Sequence, residues 1–337
     1  MHDVLELSYT GDLLAHRRCS RAWAYEKHAG FHPYEQIQAM EGRLVHHAME
    51  WLTRRYQTTG LHAAMPELRA QLEHYFRVLW ARGIRTAFRS KKETLDGVMG
   101  HLFPGDALDP IAQAAIEGAE HTEYELRSVR KFMGPLNGGK QKLLLTGILD
   151  LVVQQKNPLS YQRVYEWKSS QTWDGGVVSK TLTAQPGDVE IWDYKATQSS
   201  TSLLPDYIRQ MLTYAYLYEE RSGQLPVRCV LYFVNEKNRD KKLLAIEIDQ
   251  DLIRRAVDWT MNEAIEIQQT LAQFQMDPGV VPGGERSRLT EQVGQRITTD
   301  LQAQCTACSL RFDCSEYLTH LGGCNHPDVD IWNVFKN

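Results

Sequence analysis

Asp193-Tyr194-Lys195 stands near the end of a short apolar run, Val189 to Ala196. Side chains two apart on a strand leave the same face, so a carboxylate and an ammonium would project together. The Tyr194 carbonyl lies between them. A second carboxylate, Asp150, closes the run Leu143 to Asp150, three residues after Gly147. Two acidic oxygens and a carbonyl make a hard-oxygen site suited to Mg²⁺ or Mn²⁺. Beside such an ion, the Lys195 ammonium would orient a water and stabilise its hydroxide form. The ion would offset charge building on phosphate oxygens during in-line displacement. Any β protein carries a few Asp-x-Lys triplets, so the assignment rests on what accompanies this one.

Gln210 and Tyr214 are four apart and would share one helix face. Gly42-Arg43-Leu44-Val45-His46 sets a histidine on a helix with a small residue one turn before it. Near the far end, Cys305, Cys308 and Cys314 crowd three thiols into ten residues. Six cysteines in a cytosolic protein argue against disulfides, and this spacing calls for a metal. A zinc knuckle completed by Cys324, His320 or His326 is one reading of them. Cys229 sits in an apolar run and is expected in the core.

The elements that must carry these residues follow from periodicity. The first sixty residues read as helical, with Leu13, Leu14, Trp23, Leu44, Ala48, Trp51 and Leu52 at helical spacing. Residues 61–120 look helical too, broken near Gly97 to Pro110. Strands are expected over Glu123 to Phe132, Leu143 to Val153, Tyr161 to Trp167 and Val189 to Ala196. Gly175-Gly176 and Pro186-Gly187 punctuate the segment between the last two. A helix from Pro205 to Arg221 ends before Gly223. Val227 to Asn235 and Leu243 to Ile248 read as a hairpin, residues 250–275 as a helix, and Pro278 to Arg286 as a loop. The fold class is mixed α/β, with a helical N-terminal lobe over 1–120, a core over 121–275 and a cysteine-rich segment over 276–337.

Composition agrees with a globular chain: 337 residues, 42% hydrophobic and 24% charged, enough to bury a substantial core. No run is long and apolar enough to span a bilayer, and the N-terminus lacks the basic and apolar regions of a signal peptide, so a cytoplasmic protein with no membrane partner is expected. A net charge of −4 does not advertise nucleic-acid binding. Basic groups nevertheless cluster at Arg17, Arg18 and Arg21, at Arg82 to Lys92, and at Lys237 to Lys242, where phosphate contacts would be sought. No Walker-type phosphate loop is present, so ATP-driven unwinding would come from a partner.

In this order, the helical His46, Gly147-Ile148-Leu149-Asp150, Asp193-Tyr194-Lys195 and Gln210-Met211-Leu212-Thr213-Tyr214 resemble the RecB-like branch of the PD-(D/E)XK nucleases. The resemblance implies a restriction-endonuclease-like core, a mixed central sheet flanked by helices. It implies that His46, Asp150 and Asp193, with the Tyr194 carbonyl, hold the metal, that Lys195 serves the water, and that Gln210 and Tyr214 steady the site and the DNA. An imidazole in the shell would tilt preference toward Mn²⁺. The separation from Asp150 to Asp193 is longer than such nucleases usually show, and a rival triplet, Glu166-Trp167-Lys168, lies inside it. Asp193 and Lys195 are favoured because Val189 to Ala196 leads by a short loop into the Gln210 helix. Glu123 or Glu125 could lend a further acidic contact.

The opening Leu7-Ser8-Tyr9-Thr10, Leu13-Leu14, Cys19-Ser20-Arg21 and Trp23 resembles iron–sulfur members of that branch, among them CRISPR-associated exonucleases and the AddB-type nuclease domain. The resemblance implies a 4Fe–4S cluster on Cys19, Cys305, Cys308 and Cys314, forming a C-terminal clip that ties the two ends together. Cys324 is left spare. The function implied is phosphodiester hydrolysis in DNA, exonucleolytic or end-processing on single-stranded or frayed ends. A non-catalytic DNA-binding subunit of a helicase–nuclease or CRISPR adaptation complex is the alternative.

Overall fold

The protein is described by a computed structural model covering residues 4–28, 37–81, 90–133, 140–168, 175–199 and 203–276. Cys305, Cys308, Cys314, Cys324, His320, His326, the loop at 278–286 and Arg82, Arg85 and Arg89 lie outside these residues.

The chain opens with strand β1 (Val4–Ser8) and a wide helical turn of π type (Tyr9–Leu14), then the short helices α1 (Ala15–Arg18) and α2 (Ser20–His28). The expectation of helix from the start fails at β1. Leu5 and Leu7 pair in parallel with Leu143 and Leu145, and an available sheet neighbour outweighs the helical pattern that follows. Helix α3 (Ile37–Thr59) buries Met40, Leu44, Val45, Ala48, Met49 and Leu52, a stripe at helical spacing. Helices α4 (Met65–Ala81), α5 (Lys91–Leu102) and α6 (Pro110–Gly118) follow. The break expected near Gly97 is confined to Phe103–Asp109, and Gly97 lies inside α5. That helix starts on a capping box between Ser90 and Glu93, which offsets the cost of its glycines.

Two long strands, β2 (Ala119–Met133) and β3 (Lys140–Gln154), precede β4 (Leu159–Trp167), β5 (Gly175–Ala184) and β6 (Val189–Lys195). Helix α7 (Leu204–Ser222) has Pro205 in its first turn and ends on Gly223 at φ 73°, the left-handed conformation that glycine adopts without strain. Strands β7 (Arg228–Phe233) and β8 (Leu243–Glu247) and helix α8 (Gln250–Met276) complete the described chain.

The strands form one mixed sheet in the order β1-β3-β6-β7-β8-β4-β5, with β2 paired to β3. Strand β5 is not expected from the sequence, because its exposed residues show no apolar alternation and Gly175-Gly176 punctuates the segment. Gly175 is instead a close approach: a Cβ there would stand 2.5 Å from the Tyr165 ring. Strand β3 continues past Asp150 to Gln154, because Leu151 pairs with Trp192 of β6.

Both faces of the sheet are covered, and period-2 alternation sorts the side chains. Trp192 and Tyr194 join the core formed by α3 to α6. Cys229, the register partner of Ile191, places its thiol 3.4 Å from Met211 O in α7. The odd-numbered residues of β6, Asp193 and Lys195 among them, therefore face α7.

By contacts the chain divides into one unit of Met1–Leu14 with Glu35–Ile265 and another of Ala15–Tyr34 with Glu266–Asn337. In the second unit, His16 Nε2 of α1 lies 2.8 Å from Thr270 Oγ1 of α8, and the His16 ring stacks edge-on against Trp23.

Candidate active site

Strand β3 delivers Asp150, β2 delivers Glu123 and α3 delivers His46 to one place. Glu123 stands opposite Asp150 in the β2–β3 ladder, between the pairs Thr122–Leu151 and Tyr124–Leu149. Its φ of 49° is a conformation a non-glycine residue occupies at a cost, and such strain gathers at functional sites. His46 sits on the shoulder of α3, next to the buried Val45. Its Nδ1 lies 3.0 Å from Asp150 Oδ1. The other carboxylate oxygen, Oδ2, accepts the main-chain N–H of Tyr194 at 2.8 Å. The Tyr194 ring meets His46 edge-on, with centroids 6.1 Å apart.

Asp193 is fully buried, and Lys195 Nζ approaches its Oδ2 to 2.5 Å. Lys195 also donates to Gln210 Oε1 at 2.9 Å and lies over the Tyr207 ring, 4.3 Å from its centre. Gln210 Nε2 in turn donates to the Tyr214 hydroxyl at 2.9 Å and to Thr10 Oγ1 at 3.4 Å. Gly147 makes room for that helix: a Cβ there would stand 2.8 Å from Leu217 Cδ1 and 3.0 Å from the Tyr214 ring.

The electrostatics are those of crowded carboxylates. Burial raises Asp193 to about 6 against the pull of the Lys195 charge, with the Asp150 charge acting in the same direction as burial. Burial and the Asp150 charge raise Glu123 to about 7. Burial opposes a charged His46, but the charge and hydrogen bond of Asp150 outweigh it and lift the imidazole to about 9. Each shift marks negative charge held out of water, the condition a cation relieves.

The structure thus brings His46, Asp150, Asp193, Tyr194, Lys195, Gln210 and Tyr214 together. Glu166 is elsewhere: β4 is separated from β6 by β7 and β8, and Glu166 is half-exposed and paired with Lys180 at 3.2 Å. Of the two glutamates on β2, Glu123 belongs to the cluster and Glu125 is exposed, paired with Arg127 at 2.6 Å. Cys19 is half-buried beside the start of α2, and its sulfur accepts the Ala22 N–H at 3.5 Å. Lys242, grouped by sequence with basic surface residues, is instead buried against Asp109. Two supporting residues were not singled out from the sequence. Tyr207 lies one turn before Gln210 on α7. Thr10 lies in the segment quoted only for its likeness to iron–sulfur nucleases.

The donor set fits a hard divalent cation. His46, Glu123 and Asp150 each offer an atom within 4.8 Å of the others. Asp193 is not one of these three; the Lys195 ammonium sits against its Oδ2, and a cation beside Asp150 would favour its charged form against burial.

A search of curated protein sequences gave no match. One solved structure, "Crystal structure of SSO0001", is similar at 12% identity and a TM-score of 0.30, covering 91% of this chain and 98% of that one. That superposition is too loose to carry an argument. The sequence profile of the PD-(D/E)XK nuclease superfamily matches residues 11–185 and 180–314, together most of the chain. The chain belongs to the PD-(D/E)XK nuclease superfamily.

Proposed function

We propose that the protein is a deoxyribonuclease of the RecB-like branch that degrades or trims DNA from single-stranded or frayed ends, using Mn²⁺ or Mg²⁺ held by His46, Asp150, Asp193 and the Tyr194 carbonyl, with Glu123 beside them. The observation that carries the reading is the meeting of Asp150, Asp193 and Lys195 on the adjacent strands β3 and β6. A divalent ion there would polarise the phosphate and acidify an attacking water. The chain's own contribution is positioning. Lys195, held by Asp193 and Gln210 and lying over the Tyr207 ring, would offer its remaining N–H to that water. Gln210 and Tyr214 hold the ammonium in register through Thr10.

The same reading assigns a 4Fe–4S cluster to Cys19, Cys305, Cys308 and Cys314. Four thiolates are the donor set such a cluster requires, and His16 already bridges the helix before Cys19 to α8. A helicase or a CRISPR adaptation complex is the proposed partner, since the chain has no phosphate loop of its own.

The test is degradation of end-labelled linear DNA, single- and double-stranded, beside covalently closed circles, with Mn²⁺ or with a chelator. Loss of linear DNA only with metal supports the reading. Equal cutting of closed circles would replace end-processing by endonucleolysis.

A further inference from the structure

Beside the proposed metal ligands lies an open pocket of about 370 Å³, within the range that accommodates a small ligand or one nucleotide unit. His46 and Glu123 form one wall, and Arg43, His47 and Glu50 of α3 with Tyr75 of α4 supply the rest, so a phosphate would be held on the Arg43 side, away from the two carboxylates. Its most distinctive feature is a stack: the His47 and Tyr75 rings lie 3.9 Å apart at 18°. His47 keeps 22% of its side chain in solvent, with Gln71 at 3.3 Å and Glu50 at 4.0 Å, and Tyr75 is likewise only partly buried, so the stack borders solvent and is not simply core packing between two helices. Arg43, exposed one turn before His47 on α3, lines the same pocket.

A flat aromatic surface beside a basic group, opening onto a phosphodiester site, suits one chemical class. Unpaired bases stack on aromatic rings whatever their identity, and guanidinium groups hold the phosphates between them. A base inside a duplex is already stacked on both faces and presents only its edge, so an unpaired base is the one free to stack here. This inference rests on the nuclease reading and adds the substrate contact that decides strandedness. We propose that the His47–Tyr75 stack receives the unpaired base of the nucleotide beside the scissile phosphate, with Arg43 holding the adjoining phosphate.

The experiment measures binding of short fluorescent oligothymidylates by anisotropy in Ca²⁺, which supports phosphate binding without requiring cleavage. A set of strands each lacks the base at one position in turn. For wild type, one position is expected to show a loss of about 5- to 150-fold when its base is removed, the range of a base–aromatic stack. At that position Tyr75→Ala should bind the intact and abasic strands equally, while Tyr75→Phe, which keeps the ring, should behave as wild type. An even response of wild type to base removal along the whole strand would overturn the proposal without recourse to any variant. So would a Tyr75→Ala protein that still discriminates at the sensitive position. The nuclease reading fails on a different result, wild type that leaves end-labelled DNA whole in Mn²⁺. Because the binding comparison does not depend on cutting, the two failures are distinguishable.

Discussion

The main-chain N–H of Tyr194 donates to Asp150 Oδ2, so the strand that carries Asp193 also fixes the carboxylate across from it. Asp150 has no freedom to turn away: its other oxygen faces His46 at 3.0 Å. Two strands and a helix are locked to one another through a single side chain. A cation arriving there finds the carboxylate already placed and has to displace only the proton that His46 shares with it.

Crowding around that carboxylate gives the metal-free protein a definite pH dependence. Asp193 and Glu123 have folded-state values raised to about 6 and about 7. Their contribution to stability is full below the unfolded carboxylate range and is lost as pH rises through those values. His46, raised to about 9, contributes below 6.5 and loses that contribution on approach to pH 9. All three have the same sign. Chelator-treated protein should melt at a falling temperature from about pH 4.5 to 9, and Mn²⁺ should raise the melting temperature more at pH 8 than at pH 5.5. A metal shift that is equal at both pH values would contradict the assigned ligands.

Removing the acceptor for Lys195 should lower turnover more than substrate affinity. In Gln210→Ala the ammonium loses its 2.9 Å partner and Tyr214 loses its donor. A hydrogen bond to a charged group is worth about 1.5–3 kcal/mol, so kcat should fall roughly 10- to 100-fold. Steady-state kinetics that show a KM effect alone would remove Gln210 from this role.

Gly147 tests the packing beneath the site. Alanine there would press a methyl group against Leu217 and the Tyr214 ring at 2.8 and 3.0 Å. Overpacking of this kind costs about 1–3 kcal/mol. Urea unfolding of Gly147→Ala should show a lowered midpoint together with reduced cleavage, since the displaced Tyr214 partners Gln210. An unchanged midpoint would mean that α7 gives way freely.

The cysteine assignment has a visible readout. Cys305→Ser, purified without oxygen, should lose the brown absorption and bound iron and should unfold more readily than wild type. A brown, stable variant would exclude the cluster as a clamp.

Much of the site is legible in the sequence because its chemistry depends on local spacing. Asp193 and Lys195 face together through the two-residue period of a strand, and Gln210 and Tyr214 through the turn of a helix. What spacing could not show is tertiary. Glu123 and Glu125 are equivalent on paper, and only the register against β3 puts Glu123 opposite Asp150. The short loop from β6 into the Gln210 helix already favours the Asp193 triplet over the Glu166 one, and the strand order sets Glu166 three strands away. Strands β1 and β5 were missed because one is a single short alternation before a helical pattern. The other is held by its neighbour β4 and not by an apolar face of its own.

The most direct measurement compares Mn²⁺-dependent degradation of end-labelled DNA by wild type, Asp193→Ala and Glu166→Ala. The account predicts that Asp193→Ala is silent, with activity down by at least two to three orders of magnitude, and that Glu166→Ala cuts like wild type. Full activity in Asp193→Ala, or loss confined to Glu166→Ala, would contradict the site described here.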